Sequence, residues 1–203
     1  MPAVSFSHLE RCEMTLDRTY HPTLWRTCRV LANARRLACL RVVMGTPNLC
    51  VQEIAREVRF DEAQVSLALR ALQARGLIAA VRISRWVRYV PEPDPSVPSA
   101  KPLLTALRRA LRSGGMSDAE IIRVVTAFTH PRRLAMLRCL HLRAPLSLET
   151  LSTACGISMP AANRHFHKLL ARGMLVVRSD RISLVSRHPS LTRALLRLAV
   201  CGE

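Results

Sequence analysis

The chain is short of acid. Of its 203 residues, 14 are Asp or Glu against 31 Lys and Arg, which leaves a formal charge of +17 at pH 7. On a sequence of ordinary hydrophobicity such a charge repels itself until something acidic neutralises it, so the expected partner is a polyanion, with nucleic acid foremost. Lysine is scarce as well: every basic residue is Arg except Lys101 and Lys168. GC-rich coding accounts for Arg over Lys, but it does not account for the missing acid. Long apolar runs are also lacking. The most apolar stretches are broken by Arg35, Arg36 and Arg41, or by Arg132, Arg133 and Arg138, and none reaches the twenty or so residues that cross a bilayer. Met1 to Tyr20 carries Glu10, Glu13 and Asp17 and has no apolar signal core, so the expectation is a cytoplasmic protein without a membrane partner. The seven cysteines, at positions 12, 28, 39, 50, 139, 155 and 201, form no Cys-x-x-Cys pair, and their odd number fits reduced thiols better than a disulfide framework. The acids are scattered, no glycine-rich phosphate loop exists and no Cys-His spacing recurs. Neither an enzyme nor a cofactor is expected.

What the chain does have is a repeat. Arg35-Arg36-Leu37-Ala38-Cys39-Leu40-Arg41 returns as Arg132-Arg133-Leu134-Ala135-Met136-Leu137-Arg138, and Ala74-Arg75-Gly76-Leu77-Ile78 returns as Ala171-Arg172-Gly173-Met174-Leu175. Both blocks recur at a separation of 97 residues, so the stretch between them aligns without a gap, which local coincidence does not produce. The chain reads as a duplication. The division expected from it is a first domain over 1–90, a proline-rich linker with an amphipathic helix over 91–113, and a second domain over 114–203.

Within the first copy, apolar residues recur at helical spacing from Leu24 to Met44, which predicts one core helix stopped by Gly45-Thr46-Pro47. Leu49 to Val58 puts Val51, Ile54, Ala55 and Val58 on one face. Asp61 then offers an N-cap, with Gln64 at capping-box spacing. The helix it opens buries Val65, Leu69 and Leu72 and ends at Gly76, which tolerates a left-handed cap. Leu77 to Ile83 and Trp86 to Val90 read as two strands around Ser84-Arg85. In the second copy Ser117 to Glu120 caps a helix that His130-Pro131 interrupts and that then runs to about Leu142. Leu148 to Cys155, a turn at Gly156, a helix from Ile157 to Leu169 and a shorter hairpin from Gly173 to Val185 follow. Lys101 to Arg112 and Pro189 to Val200 each read as an amphipathic leucine-bearing helix. The expected fold is mainly α with small β-hairpin wings: two tandem winged helix-turn-helix domains with amphipathic connecting and C-terminal helices.

The hairpin Gly76 to Tyr89, opened by Gly-Leu and closed by an aromatic strand, resembles the wing of ArsR-type (arsenic-repressor-like) regulators. Pro131-Arg132-Arg133-Leu134 resembles the head of that family's core helix. Ser158-Met159-Pro160-Ala161-Ala162-Asn163-Arg164-His165 is similar to its recognition helix, which typically reads Ser-Gln-Pro-Ala-Val-Ser-Arg-His. The resemblance covers about Leu24 to Val90 and Ile121 to Val185. It implies a prokaryotic transcription regulator that binds double-stranded DNA and uses its terminal helices to pack the two copies together or to join two chains as a homodimer.

The resemblance implies base or phosphate contacts at Ser158, Asn163, Arg164 and His165, to which the exposed helix face adds Lys168. An Arg on such a face can bond guanine bidentately, and an Asn can do the same to adenine. The packing face is expected to comprise Ala162, Phe166, Leu169 and Leu170. The first copy departs from the motif: Leu67-Ala68 replaces the Arg-His pair, and Asp61-Glu62 places acid at the helix start, where it favours the helix dipole but repels phosphate. Gln64, Ser66 and Arg70 remain there as candidate contacts. On the wings Arg82, Arg85 and Arg88, and in the second copy Arg178 and Arg181, can neutralise phosphates or enter a minor groove. Unequal half-sites are expected, with the second copy the stronger reader. The segment Leu49-Cys50-Val51-Gln52 resembles a family metal site built on Cys-x-Cys, but the second thiol is Gln52, so no metal is expected. Cys39, Cys139 and Cys155 read as small core residues, and Trp25 and Trp86 as core or wing-packing residues. Two other readings stay open: a winged-helix pair serving as a protein-interaction or dimerisation unit, and a thiol redox sensor using Cys50 or Cys12.

Overall fold

The computed structural model describes residues 23–112 and 115–200. Cys12, Cys201 and the acidic start of the chain lie outside the described residues. Helices α1 (Leu24–Leu31), α2 (Ala34–Gly45), α3 (Val51–Val58) and α4 (Glu62–Gln73) lead into a hairpin of β1 (Ala79–Ile83) and β2 (Trp86–Val90), and α5 (Ala100–Leu111) follows. The same order then returns. Helices α6 (Asp118–Ala127), α7 (Pro131–Arg143), α8 (Leu148–Ala154) and α9 (Met159–Leu170) precede β3 (Leu175–Arg178), β4 (Arg181–Leu184) and α10 (Ser190–Val200). The fold is mainly α with two small antiparallel hairpins, each in the wing position of a winged helix-turn-helix.

The second pass matches the first down to individual hydrogen bonds. Asn33 caps α2 by accepting from the Arg36 amide at 3.1 Å, and His130, at the matching position, caps α7 by accepting through Nδ1 from the Arg132 amide at 3.1 Å. One side-chain acceptor at each N-cap satisfies an amide that the helix leaves without a partner. The second Arg of each Arg-Arg-Leu reaches back to the end of the preceding helix: Arg36 donates to the Val30 carbonyl at 3.4 Å, and Arg133 donates to the Ala127 carbonyl at 2.8 Å. Arg133 also donates to the Thr126 carbonyl and to Thr129 Oγ1. A cation at a helix C-terminus both satisfies carbonyls and meets the dipole favourably. Burial pulls the Arg133 pKa down to about 10, which still leaves it charged at neutral pH.

Sequence periodicity predicted one continuous helix from Leu24 to Met44, whereas the chain breaks it at Ala32-Asn33. Asn33 takes an extended backbone and starts a new helix with its side chain, just as His130 does before Pro131. The expected left-handed caps are present, with φ +64° at Gly76 and +68° at Gly173. The turn before α4 uses Arg59 at φ 57°, where the turn before α9 uses Gly156 at +61°. Each hairpin gains a short third partner: Leu49 bridges Tyr89 in the first, and Leu146 bridges Ile182 in the second.

One continuous apolar core runs through both passes, from Leu24, Leu37 and Leu69 to Phe128, Leu137 and Leu195. Equivalent helices meet: α1 packs on α6, and α5 packs on α10. Arg41 pairs with Asp118 across this junction. Among the described residues, no helix is long and apolar enough to cross a membrane.

Candidate nucleic-acid interface

Helix α9 starts at Ser158, whose extended backbone and the following Met159-Pro160 suit a helix head. The turn into it is fixed by Ser152, which donates to the Ile157 carbonyl at 2.6 Å while the Ile157 amide donates back to the Ser152 carbonyl at 3.1 Å. Ala161, Ala162, His165 and Leu169 form the buried face. Asn163, Arg164, His167 and Lys168 lie together on the opposite, exposed face, and Ser158 is exposed at the helix head. Two expectations need correction. Leu170 is exposed and does not belong to the packing face. His165 points inward and is only 3% exposed, so its ring is not presented to a groove.

The imidazole of His165 lies 4.4 Å from that of His130, ring centre to ring centre. Neither of its nitrogens has a hydrogen-bond partner among the described residues. Burial depresses its pKa to about 4, with His130, Arg133, Arg164 and Lys168 adding to the effect. The His130 pKa is lowered too, first by burial and then by Arg133, Arg132, Lys168 and Arg164. The start of α7 and the outer face of α9 therefore share one cationic field, made by Arg132, Arg164 and Lys168 with no acid among them. Arg132 was not among the contacts expected from the sequence. Its signal was available: a cation in the first turn of a helix opposes the dipole, so helix stability does not explain it. Its counterpart Arg35 lies over the Phe60 ring at 5.1 Å.

The β3–β4 hairpin turns through Ser179 and Asp180, both at positive φ, as a two-residue hairpin loop requires. That register sets Arg178 directly opposite Arg181, and both are exposed. Like charges facing one another across strands are unfavourable on their own. An anion between or beside them removes that cost.

The first pass is different. Asp61 accepts from the Gln64 amide at 2.8 Å, and Glu62 follows in the first turn of α4. Gln64 and Ser66 are half-buried, Arg70 is exposed, and Leu67 stands out at 65% exposure. Arg82 and Arg85 are exposed on the hairpin, but Arg88 is turned back: it donates to the Asn48 carbonyl at 2.5 Å and pairs with Glu53 at 3.5 Å. The Glu53 carboxylate is already fixed by the Cys50 amide, which donates to it at 2.7 Å and holds its pKa below the usual range. Arg88 is therefore a structural cation and not a free one. Trp86, expected to pack, is 41% exposed with the Arg85 guanidinium over its ring at 5.3 Å. Val81, Ile83 and Val87 are exposed beside it.

The thiols sort by burial. Cys39 is fully buried and its pKa is raised to about 11, which makes the thiolate inaccessible at neutral pH. Cys139 and Cys155 are half-buried against the core, and Cys50 occupies the N-cap of α3. Among the described residues no three His, Cys, Asp or Glu side chains cluster in a way that would hold a metal ion.

A family described as a helix-turn-helix domain matches residues 128–178, which run from the end of α6 through the first strand of the second hairpin. No curated protein matches the chain. Among solved structures the chain is similar to the DIP2311 protein from Corynebacterium diphtheriae, at 20% identity and a TM-score of 0.22, over 74% of this chain and 26% of that one. The chain thus spans about a quarter of the length of that protein.

Proposed function

We propose that this protein is a DNA-binding transcription regulator with two ArsR-like winged helix-turn-helix units in one chain, 1–90 and 114–203, joined by 91–113. The observation that carries the reading is the exposed face of α9, a helix without acid, where Asn163, Arg164 and Lys168 lie together and share the surroundings of His130 with Arg132, while the hairpin that follows adds the exposed facing pair Arg178 and Arg181. The match to a helix-turn-helix domain over this same half supports it. The α1–α6 and α5–α10 contacts support a pseudo-dimer formed within one chain. Ser158, Asn163, Arg164, Lys168 and Arg132 act as the main reader, with Arg178 and Arg181 on the backbone. Gln64, Ser66, Arg70, Arg82 and Arg85 give the first unit a weaker and less specific hold. Binding needs no metal, since Gln52 stands where a second thiol would be and Cys50 is engaged as a helix cap.

The test is a salt titration of duplex binding. Each phosphate neutralised releases about 0.9 of a counterion, and contacts with roughly six to ten phosphates give a slope of about −5 to −9 in log affinity against log salt. A slope near zero removes the reading. A second reading, a protein-interaction role for the first unit, is favoured by one observation: Leu67, Val81, Ile83, Trp86 and Val87 expose apolar surface where a DNA reader would carry polar groups.

A further inference from the structure

Helices α5 and α10 enclose a groove of about 630 Å³ that the nucleic-acid interface does not use. That volume lies within the range of small-molecule sites. Its floor is apolar, with the buried Ala106 and the half-buried Leu198. Its rim is cationic on both sides: Lys101 and Arg109 come from α5, and Arg193 and Arg197 come from α10. Lys101 and Arg109 stand about two turns apart, and Arg193 and Arg197 about one turn apart. Each pair therefore lies along the groove edge instead of scattering round its helix.

Like charges at i and i+4 oppose a helix, and here they also face like charges on the opposing helix. Nothing described in the chain relieves this. The ion pairs among the described residues are Arg41 with Asp118 and Arg88 with Glu53, and none of the four rim cations has a side-chain hydrogen bond to a described residue. An apolar floor beneath four cations that have no side-chain partner among the described residues is complementary to one kind of occupant. We propose that the groove binds an amphiphilic organic anion, with its hydrocarbon body on Ala106 and Leu198 and a carboxylate or phosphate head among Arg109, Arg193 and Arg197. Helix α5 belongs to the connecting segment 91–113 and α10 to the second unit, so the ligand ties the connector to that unit and biases how the two units are set relative to each other. The site stands on the groove alone. Its coupling to DNA rests on the functional reading above.

The experiment is calorimetric titration of the full chain with octanoate, 1-octanol and inorganic phosphate as separate probes. Octanoate is expected to saturate one site per chain, and the two other probes are not. The double substitution Arg193→Ala with Arg197→Ala should weaken octanoate about ten- to hundredfold, the range expected when charge-assisted bonds are lost. The unliganded melting midpoint should hold or rise, since like-charge repulsion is removed. Arg193→Lys with Arg197→Lys should retain most of the affinity. If the double Ala variant fails to fold, Lys101→Ala with Arg109→Ala on the other helix gives the same readout.

Equal binding of 1-octanol would show an apolar crevice without head-group recognition. Equal binding of inorganic phosphate would show an adventitious ion only. Unchanged octanoate affinity in both double variants would place the site elsewhere. Each of these overturns the proposal, as does the finding that duplex DNA displaces octanoate competitively, which would make the groove part of the backbone contact. Saturating octanoate should change duplex affinity at least about fivefold. No change removes the coupling, whereas octanoate binding in a chain that binds no duplex refutes the functional reading and leaves the site intact.

Discussion

Replacing His165 with Leu should make the protein less sensitive to acid. In the folded chain the imidazole is buried against His130, with neither nitrogen partnered among the described residues, and its pKa falls from 6.5 to about 4. A base whose pKa is depressed by folding is held neutral in the native state while the unfolded chain takes up its proton. The native state therefore loses stability as pH drops below 6.5, and the loss levels off only near pH 4. With those two values, going from pH 7 to pH 5 costs about 2 kcal/mol from this residue alone. The side chain faces His130, Arg133, Arg164 and Lys168, all cationic or able to become so, and no carboxylate among them offsets the cost. Urea unfolding of wild type and His165→Leu at pH 7 and pH 5 isolates the effect. The wild type should lose more stability than the variant by about 2 kcal/mol, and at pH 7 the variant should be at least as stable, since it no longer buries two unsatisfied nitrogens. Equal pH dependence in the two proteins would mean that the ring finds a partner or stays protonated in the fold, and the reasoning would fail.

The glycine caps give a paired test. A Cβ at Gly76 would sit 2.8 Å from Asp94 Cβ and 3.0 Å from a Val97 methyl, whereas at Gly173 it meets only the far end of Arg123 at 3.8 Å. Gly173→Ala should cost about 1 kcal/mol, for the left-handed backbone alone, and Gly76→Ala clearly more, read as midpoints of thermal or urea unfolding. On DNA, Arg164→Ala should cost about 1–3 kcal/mol on a preferred site and little on scrambled duplex, as a base contact does; equal losses on both would make it a backbone contact. Arg85→Ala should weaken both duplexes alike. Arg88→Ala should leave the affinity nearly unchanged and lower stability instead, because its guanidinium is committed to Asn48 and Glu53.

Much of this architecture was legible because two copies of one pattern can be read against each other. The constant separation of the Arg-Arg-Leu and Arg-Gly blocks aligned α7, α8 and α9 with α2, α3 and α4, and the cap glycines were recognisable from their place after an apolar helical period. The break at Asn33 was missed because Ala32-Asn33-Ala34 does not disturb the apolar spacing. A short polar side chain that takes the Arg36 amide decides it, and the aligned His130-Pro131 carried the clue. His165 was misplaced for a different reason. The family motif presents a histidine outward, but the spacing from Ala161 and Ala162 to Leu169 turns position 165 inward, and Ala68 stands there in the first copy. In this case the period outweighed the motif. The fate of Arg88 was not legible at all, since it depends on a carboxylate thirty-five residues away that is itself fixed by the Cys50 amide.

The helices that meet across the two halves, α1 with α6 and α5 with α10, belong to a single polypeptide. Assembly of the pair is thus first order, and unlike an obligate dimer it does not dissolve on dilution. A two-chain homodimer presents the same side chains at both recognition helices and so is matched to an inverted repeat. Here a substitution in α4 leaves α9 untouched, and exposed Leu67 can stand at the position that Arg164 takes in the second copy without a compromise between them. On the function proposed above, the two units stay together at any dilution while each is free to bind a different half-site.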